Sequence, residues 1–575
     1  MSAHTEHDAH GFHGPKAWLA SLAAGAALGA VLTFLIPAKY EASHETGNHA
    51  ATPAHEEPAR NATGEPHGEA DDLPDPVTIV WGGDDALGVH PGLPQGAGPA
   101  SPRSGEPELD AAVGDAEEQA NHADDGEHAH DDHGPAPTIP LWLCAPFAFL
   151  LLSIALMPFI NERFWHKHFP DFAFGLAGIT IAYYLLGYGS GEYHHGLSYG
   201  QYVMLHTGVE YYAFIALIGG LYVASGGVLI DVRGRGRPAV NTALLAVGAV
   251  LANVMGTTGA SVLLIRPFMR INKGRLRPIH VVMFIFIVSN CGGCLTPIGD
   301  PPLYLGFLKG VPFSWTLLHL WPMWLACCGA LLAIFFAIDT WHDRKQTATN
   351  PDAVPAADEP LRVRLTGTSG MVCLGLIIAG VFIDPMLKGL FGVEGVPVGP
   401  TFQILVATAA YFLANREIHL ANEFTFFPVK EVGLLFVGIF ATMAPALGYL
   451  AAHGHALGLT SPTAFYFGTG SLSAVLDNAP TYLNFLQVAF GNTPINEGTV
   501  AAFLGGSEGV HLLTAISLGA VFFGAMTYIG NGPNFMVRAI AEASGLRMPS
   551  FFGYSARAAL ILLPVLAVMW FVFIR

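Results

Sequence analysis

The chain has 575 residues, of which 52% are hydrophobic and only 12% charged, where a soluble protein carries about 25% charge. With its apolar residues gathered in long blocks, this composition excludes a string of soluble domains and predicts a membrane bundle. The formal net charge of −18 belongs to one end: residues 1–137 hold 24 Asp/Glu against 4 Lys/Arg, and residues 138–575 hold 20 against 22.

Residues 1–16 read as a short cytoplasmic N-terminus. The apolar run 17–36 has the length of a bilayer crossing. It reads as a transmembrane anchor or a signal segment, and its length favours the anchor. Residues 37–137 are rich in Pro, Gly, Ala, Asp, Glu and His. They lack the apolar surface needed to fold and read as a disordered extracytoplasmic segment. Thirteen of the 25 histidines lie in residues 1–137. His122, His128, His130 and His133, set among acidic residues, offer a loose divalent-metal site or a solvated, pH-sensitive tail.

From residue 140 onward, apolar blocks follow one another: 140–160, 172–188, 203–230, 239–265, 279–306, 315–338, 366–384, 399–414, 431–450, 463–490, 511–537 and 558–574. The polar stretch 339–365 reads as a cytoplasmic linker between a first half, 138–338, and a second, 366–575. All six cysteines lie in or beside apolar segments. Cys291-Gly-Gly-Cys294 has no second ligand pair near it in sequence, so packing outweighs a redox or zinc role.

Cytoplasmic loops carry the Lys/Arg excess. Block 239–265 is flanked by basic residues on both sides, Arg233, Arg235 and Arg237 before it and Arg266 to Arg277 after it. A re-entrant hairpin from the cytoplasmic face satisfies both clusters. Block 463–490 lies between loops without Lys or Arg, which predicts a hairpin from the outer face and an extracytoplasmic C-terminus.

Three features recur in order in the two halves. Glu210 and Glu431 are 221 positions apart, Ala249-Val-Leu-Ala-Asn253 and Ala474-Val-Leu-Asp-Asn478 are 225 apart, and Thr296-Pro-Ile-Gly-Asp300-Pro-Pro302 and Thr527-Tyr-Ile-Gly-Asn531-Gly-Pro533 are 231 apart. The fold class expected is an all-α polytopic membrane protein with two inverted repeats, each with a re-entrant hairpin and an unwound transmembrane helix.

Proline and glycine inside an apolar block break the helix and free backbone carbonyls. Freed carbonyls in hydrocarbon need protein, water or an ion. Thr hydroxyls, Asn amides and carbonyls supply the oxygens a hard cation prefers. Ion- or proton-binding candidates are therefore Asp300, Asp477, Asn253, Asn478, Thr296, Thr527 and Asn531. Thr257, Thr258, Ser261, Asn290, Gly299, Pro480 and Gly530 are expected to support the hairpins and unwound backbone. An intramembrane carboxylate is expensive and marks function by default, which singles out Asp300 and Asp477. Each also reads as a helix cap. Glu210 and Glu431 open their blocks and read as interfacial first-turn acids.

The runs Asn253-Val-Met-Gly-Thr-Thr-Gly-Ala-Ser261, Ser289 to Pro302 and Leu472-Ser-Ala-Val-Leu-Asp-Asn-Ala-Pro480 resemble the ion transporter superfamily. They are most similar to the NhaD-type sodium/proton antiporters and to the bacterial citrate transporter family. The resemblance covers residues 140–575. It implies inverted repeats, an elevator-like homodimer and a bacterial cytoplasmic membrane. In the dicarboxylate branch, Ser-Asn-Thr triplets hold substrate carboxylates; here the matching triplets are Ala252-Asn253-Val254 and Asp477-Asn478-Ala479. The asparagines match and the hydroxyls do not, which favours cation exchange. The function expected is secondary active transport rather than enzymatic catalysis. Sodium/proton antiport leads, with a sodium- or proton-coupled carboxylate or oxyanion transporter as the alternative and a metal- or pH-sensing channel as a third class. No cofactor is expected beyond transported or coupling Na+ and H+. The partners expected are small ions or a small carboxylate, the lipid bilayer and a second copy of the chain, with no nucleic acid. The chain has no G-x-x-x-x-G-K-[ST] loop, which disfavours a self-contained ATP-driven pump.

Overall fold

The computed structural model describes residues 15–35, 137–194, 196–349, 362–393 and 395–575. The four histidines of the acidic segment, and the rest of 37–136, lie outside them. The helices in chain order are α1 (Pro15–Leu35), α2 (Ala145–Ile160), α3 (Glu162–Gly187), α4 (Tyr199–Gly226), α5 (Pro238–Ile271), α6 (Pro278–Ile287), α7 (Pro301–Leu308) and α8 (Phe313–Thr349). The second half continues with α9 (Thr368–Gly380), α10 (Ile383–Phe391), α11 (Val398–Leu413), α12 (Arg416–Ala421), α13 (Phe427–His453), α14 (Pro462–Ser473), α15 (Asn478–Phe490), α16 (Glu497–Gly505), α17 (Ser507–Phe523), α18 (Gly532–Ala543) and α19 (Phe551–Met569). Among the described residues nine helices are long and apolar enough to cross a membrane, so the chain is an all-α, multi-pass membrane protein. One small sheet interrupts it: β1 (Leu229–Arg233) pairs antiparallel with β2 (Arg362–Thr366), Asp231 opposite Arg364.

Helix α1 packs along α3 on a glycine seam. A Cβ at Gly25 would fall 1.9 Å from the Gly175 carbonyl oxygen, and one at Gly178 would fall 2.3 Å from that of Leu22. Only glycine lets two backbones approach so closely.

Helix α5 passes the length test for a span, yet it doubles back. A straight helix would hold Asn241 and Asn272 about 46 Å apart. Instead their side-chain amides pair reciprocally, each Nδ2 donating to the other's Oδ1 at 2.8 Å. The Gly236 N–H also donates to the Ile271 carbonyl at 2.8 Å. The turn lies at Gly256, whose φ of 75° and ψ of 155° fall in a region open essentially to glycine alone. Helices α14 and α15 form a second hairpin around residues 474–477, and toward its open end the Phe465 and Phe485 rings meet at 6.2 Å.

The open end of the α5 hairpin is clamped to α8 by buried polar groups. One Asp339 carboxylate oxygen accepts from Arg275 Nη2 at 2.6 Å and from His280 Nε2 at 2.9 Å, and the other accepts from Asn241 Nδ2 at 2.7 Å. Arg275 Nη1 donates to the Gly236 carbonyl at 2.7 Å. Asp339 is fully buried, so the 339–365 linker begins later than its polarity suggests. Arg275 and His280 cover the acid, and α8 runs on to Thr349.

Helices α4 and α13 cross antiparallel. Phe214 stacks on Phe436 at 4.7 Å, and Tyr211 donates to the Gly433 carbonyl, 222 positions away, at 3.0 Å. Glu210 does not open α4. The Ser198–Gln201 capping box starts the helix at Tyr199, placing Glu210 several turns inside it. There Glu210 accepts from Lys309 Nζ at 2.5 Å and faces His206 Nδ1 at 3.1 Å.

Candidate ion-binding site

Four breaks in helical structure converge: the α5 turn at Gly256, the non-helical run between α6 and α7, the α14–α15 turn, and the run between α17 and α18. Two of them are held open by glycine pairs at matching positions. A Cβ at Gly299 would fall 2.1 Å from the Gly293 carbonyl oxygen, and one at Gly530 would fall 2.7 Å from that of Gly524. We expect Gly299→Ala to lose about 1–3 kcal/mol, the range for overpacking a filled site, read as a lower melting temperature in detergent. An unchanged melt would show that this contact relaxes freely.

Asp300 stands at the convergence, 1% exposed. It occupies the N-cap position of α7, but its side chain makes no capping bond. One carboxylate oxygen accepts from Thr257 Oγ1 and from Asn531 Nδ2, both at 2.9 Å. The other accepts from Asn478 Nδ2 at 2.7 Å. Donors thus come from the α5 hairpin, the second hairpin and the second unwound segment. All three are neutral, and among the described residues no Lys, Arg or His pairs with Asp300. The carbonyl oxygens of Asn478 and Asn531 accept no hydrogen bond from a described residue. A cavity of about 20 Å³ borders Asp300, lined by Gly256, Thr257, Thr258, Gly299 and Tyr304 among others.

The other predicted residues divide. Asp477 caps α15, accepting from the Ala479 N–H at 3.0 Å. It is half-buried and precedes Asn478, whose side chain bonds Asp300. Asn253 is turned onto backbone instead. Its Nδ2 donates to the Ala249 and Gly292 carbonyls at 2.9 and 2.6 Å, and its Oδ1 accepts from the Leu295 N–H at 2.8 Å. Thr296 donates to the Asn253 carbonyl at 2.7 Å and Thr527 to the Ala474 carbonyl at 2.6 Å. Thr527 also accepts from the Ile529 and Gly530 N–H groups at 3.2 Å. These three residues fix the broken backbone, because a helix break leaves carbonyls and amides that hydrocarbon cannot satisfy. Ser261 and Ser289 share a hydrogen bond at 2.7 Å. Thr258 lines the cavity, and Pro480 is buried in the first turn of α15. Asn534, fully buried, was not among the sequence candidates. Its only signal is a polar residue one turn beyond Asn531. Cys291 and Cys294 are buried free thiols.

A family profile described as "Putative citrate transport" matches residues 136–574. The chain belongs to this family. Two relatives, described as uncharacterized transporters of Mycobacterium bovis and Mycobacterium tuberculosis, are each 27% identical to it over 349 residues, 57% of this chain and 75% of theirs. The chain is thus a membrane transporter, and the buried polar cluster around Asp300 is its candidate transport site.

Proposed function

We propose that the chain exchanges sodium for protons across a bacterial cytoplasmic membrane, with Asp300 holding one or the other. The carrying observation is a buried carboxylate met only by neutral donors. A charge so placed needs a counter-ion or a proton. Asn478 and Asn531, each bonded to the carboxylate through Nδ2, carry carbonyl oxygens of the kind that suits a hard cation. The cavity admits a water, which needs about 10–15 Å³, and so has room for a small bare ion beside Asp300.

Contacts between matching positions support an inverted repeat. Asp300 and Asn531 occupy the same place in the two motifs, 231 positions apart, and they hydrogen-bond to each other. Residues on a two-fold axis meet their own counterparts, and the antiparallel crossing of α4 and α13, with Phe214 stacked on Phe436, agrees with such an axis. We place both hairpins and both unwound segments around that axis, with the α5 hairpin open to the cytoplasm and the second hairpin open to the outside. A homodimer follows by family resemblance.

The family description favours a second reading, cation-coupled carboxylate transport, in which Asp300 would bind the coupling ion. Two acids at the centre oppose an anionic substrate, so we rank it second. Purified protein in proteoliposomes with an internal pH dye separates the two. A sodium pulse that dissipates an imposed pH gradient supports exchange. Sodium-dependent citrate uptake without it supports the second reading and removes the first. In the same assay, Asp477→Asn keeps the α15 cap, since Asn caps as well as Asp, but loses the charge. Exchange is expected to slow by about tenfold or more, as a ~1.4 kcal/mol loss of ion binding would produce. A wild-type rate would remove Asp477 from the mechanism.

A further inference from the structure

Beyond the ion site runs a chain of three buried side-chain amides. Asn534 donates both Nδ2 hydrogens to backbone, to the Gly524 carbonyl at 2.8 Å and the Thr527 carbonyl at 2.9 Å. A carbonyl only accepts, so these bonds fix the side chain, and Asn534 Oδ1 is left to accept. It accepts from Asn290 Nδ2 at 2.6 Å. The second Nδ2 hydrogen of Asn290 goes to the Ile285 carbonyl at 2.8 Å, so Asn290 Oδ1 must accept in turn. It faces Asn531 Nδ2 at 3.2 Å. That nitrogen also meets the Ser289 carbonyl at 3.2 Å and Asp300 Oδ1 at 2.9 Å.

Each amide has two possible orientations, and a hydrogen-bond network selects between them. If Asn531 were reversed, its carbonyl oxygen would face three oxygens, including a carboxylate. The selection starts at the Gly524 and Thr527 carbonyls and reaches Asp300 through three amides, those of Asn534, Asn290 and Asn531, with the Ser289 carbonyl acting beside Asn290 on the last of them.

We propose that Asn534 is a positioning residue that, through Asn290, sets the orientation of Asn531, so that Asn531 presents its N–H to Asp300 and its carbonyl oxygen to the bound cation. This deepens the sodium/proton reading and rests on it for the identity of the cation. The relay gives the second unwound segment control over the carboxylate of the first. Asn534 acts on the ion site without touching it. A merely structural Asn534 would tie the Gly524 and Thr527 carbonyls and nothing more.

The test reads Asp300 directly. A hydrophobic carbodiimide adds to a protonated carboxyl group in the membrane, and mass spectrometry gives the labelling rate at Asp300 without sodium and without transport. A donor N–H favours the carboxylate over the acid. Breaking the relay in Asn534→Ala therefore raises labelling, by about tenfold on the scale of a hydrogen bond to a charged group. Asn290→Ala leaves the Asn534 bonds to backbone in place and gives the same rise. The double variant labels no faster than the faster single, because both act by one route. Should Asn534→Ala fail to fold, Asn534→Ser retains one donor and one acceptor and is expected to label at an intermediate rate.

Wild-type labelling in Asn290→Ala, or in a folded Asn534 variant with a lowered melting temperature, overturns the relay. In proteoliposomes the relay predicts a sodium KM raised about tenfold with maximal rate nearly kept, as loss of ground-state binding gives. Sodium protection of wild-type Asp300 tests the exchange reading separately. Its absence sinks that reading and leaves the labelling comparison to decide the relay.

Discussion

Asp300→Asn is expected to reduce sodium-driven dissipation of a pH gradient in proteoliposomes to the level of empty vesicles. The substitution removes the negative charge and the exchangeable proton while nearly conserving volume. It also breaks the local logic of donors. Asp300 accepts three hydrogen bonds from neutral groups, two of them amide N–H groups on opposite oxygens. An Asn side chain has one acceptor oxygen, so its NH2 would face the Nδ2 of Asn478 or of Asn531. Folding should survive. Removing a buried charge that has no ionic partner relieves desolvation, so the melting temperature is expected to stay level or rise. Loss of exchange with a retained melt identifies Asp300 as the transport group. Residual exchange above about a tenth of wild type, a loss of only ~1.4 kcal/mol in transition-state terms, would move the proton to another acid.

The largest stability effect is expected at the far end of the α5 hairpin. Arg275→Met leaves Asp339 buried beside His280 and Asn241 with its nearest guanidinium gone. Breaking one side of a buried ion pair costs about 3–5 kcal/mol, which should appear as a large drop in melting temperature and in yield. Arg275→Met with Asp339→Leu removes both charges and is expected to recover much of that loss, because replacing a whole buried pair is often near neutral. Asn241 and Asn272 would still pair across the hairpin ends. If Arg275→Met melts with the wild type, the clamp does not hold the hairpin, and the amide pair alone carries its closure.

The hairpins were legible because charge and length conflict. Block 239–265 has basic residues on both sides, a pattern that a single crossing cannot satisfy, and the Asn241–Asn272 pairing resolves it as a return. The broken helices were legible because Thr, Gly, Asp or Asn, and Pro cluster in the same order in both halves; Pro alone marks no break, since Pro170, Pro322 and Pro445 lie inside continuous helices. Which polar groups meet Asp300 was not legible. Asn253, Thr296 and Thr527 carry suitable oxygens, but the carbonyls and amides freed by the breaks claim them first. The partners of Asp300 lie 178 and 231 positions away in the other half, and such pairing is decided by packing. Asn534 was missed for the same reason, since its role exists only through Asn290. The depth of Glu210 was misread because the polar residues of the first turns of α4 hide the helix start.

The two broken-helix motifs correspond in their glycine contacts and differ in charge. Asp300 faces Asn531 at the position where the motifs correspond, and the second acid stands on the hairpin as Asp477. Under the proposed sodium/proton exchange, that asymmetry makes one group, Asp300, answerable for the coupling of cation to proton.

Proton release on sodium addition tests this most directly. Purified protein in detergent, in weakly buffered solution with a pH dye, receives a sodium chloride pulse matched against choline chloride. Exchange at Asp300 predicts acidification saturating with sodium in wild type and none in Asp300→Asn. The same release in both proteins, or none in either, would contradict it.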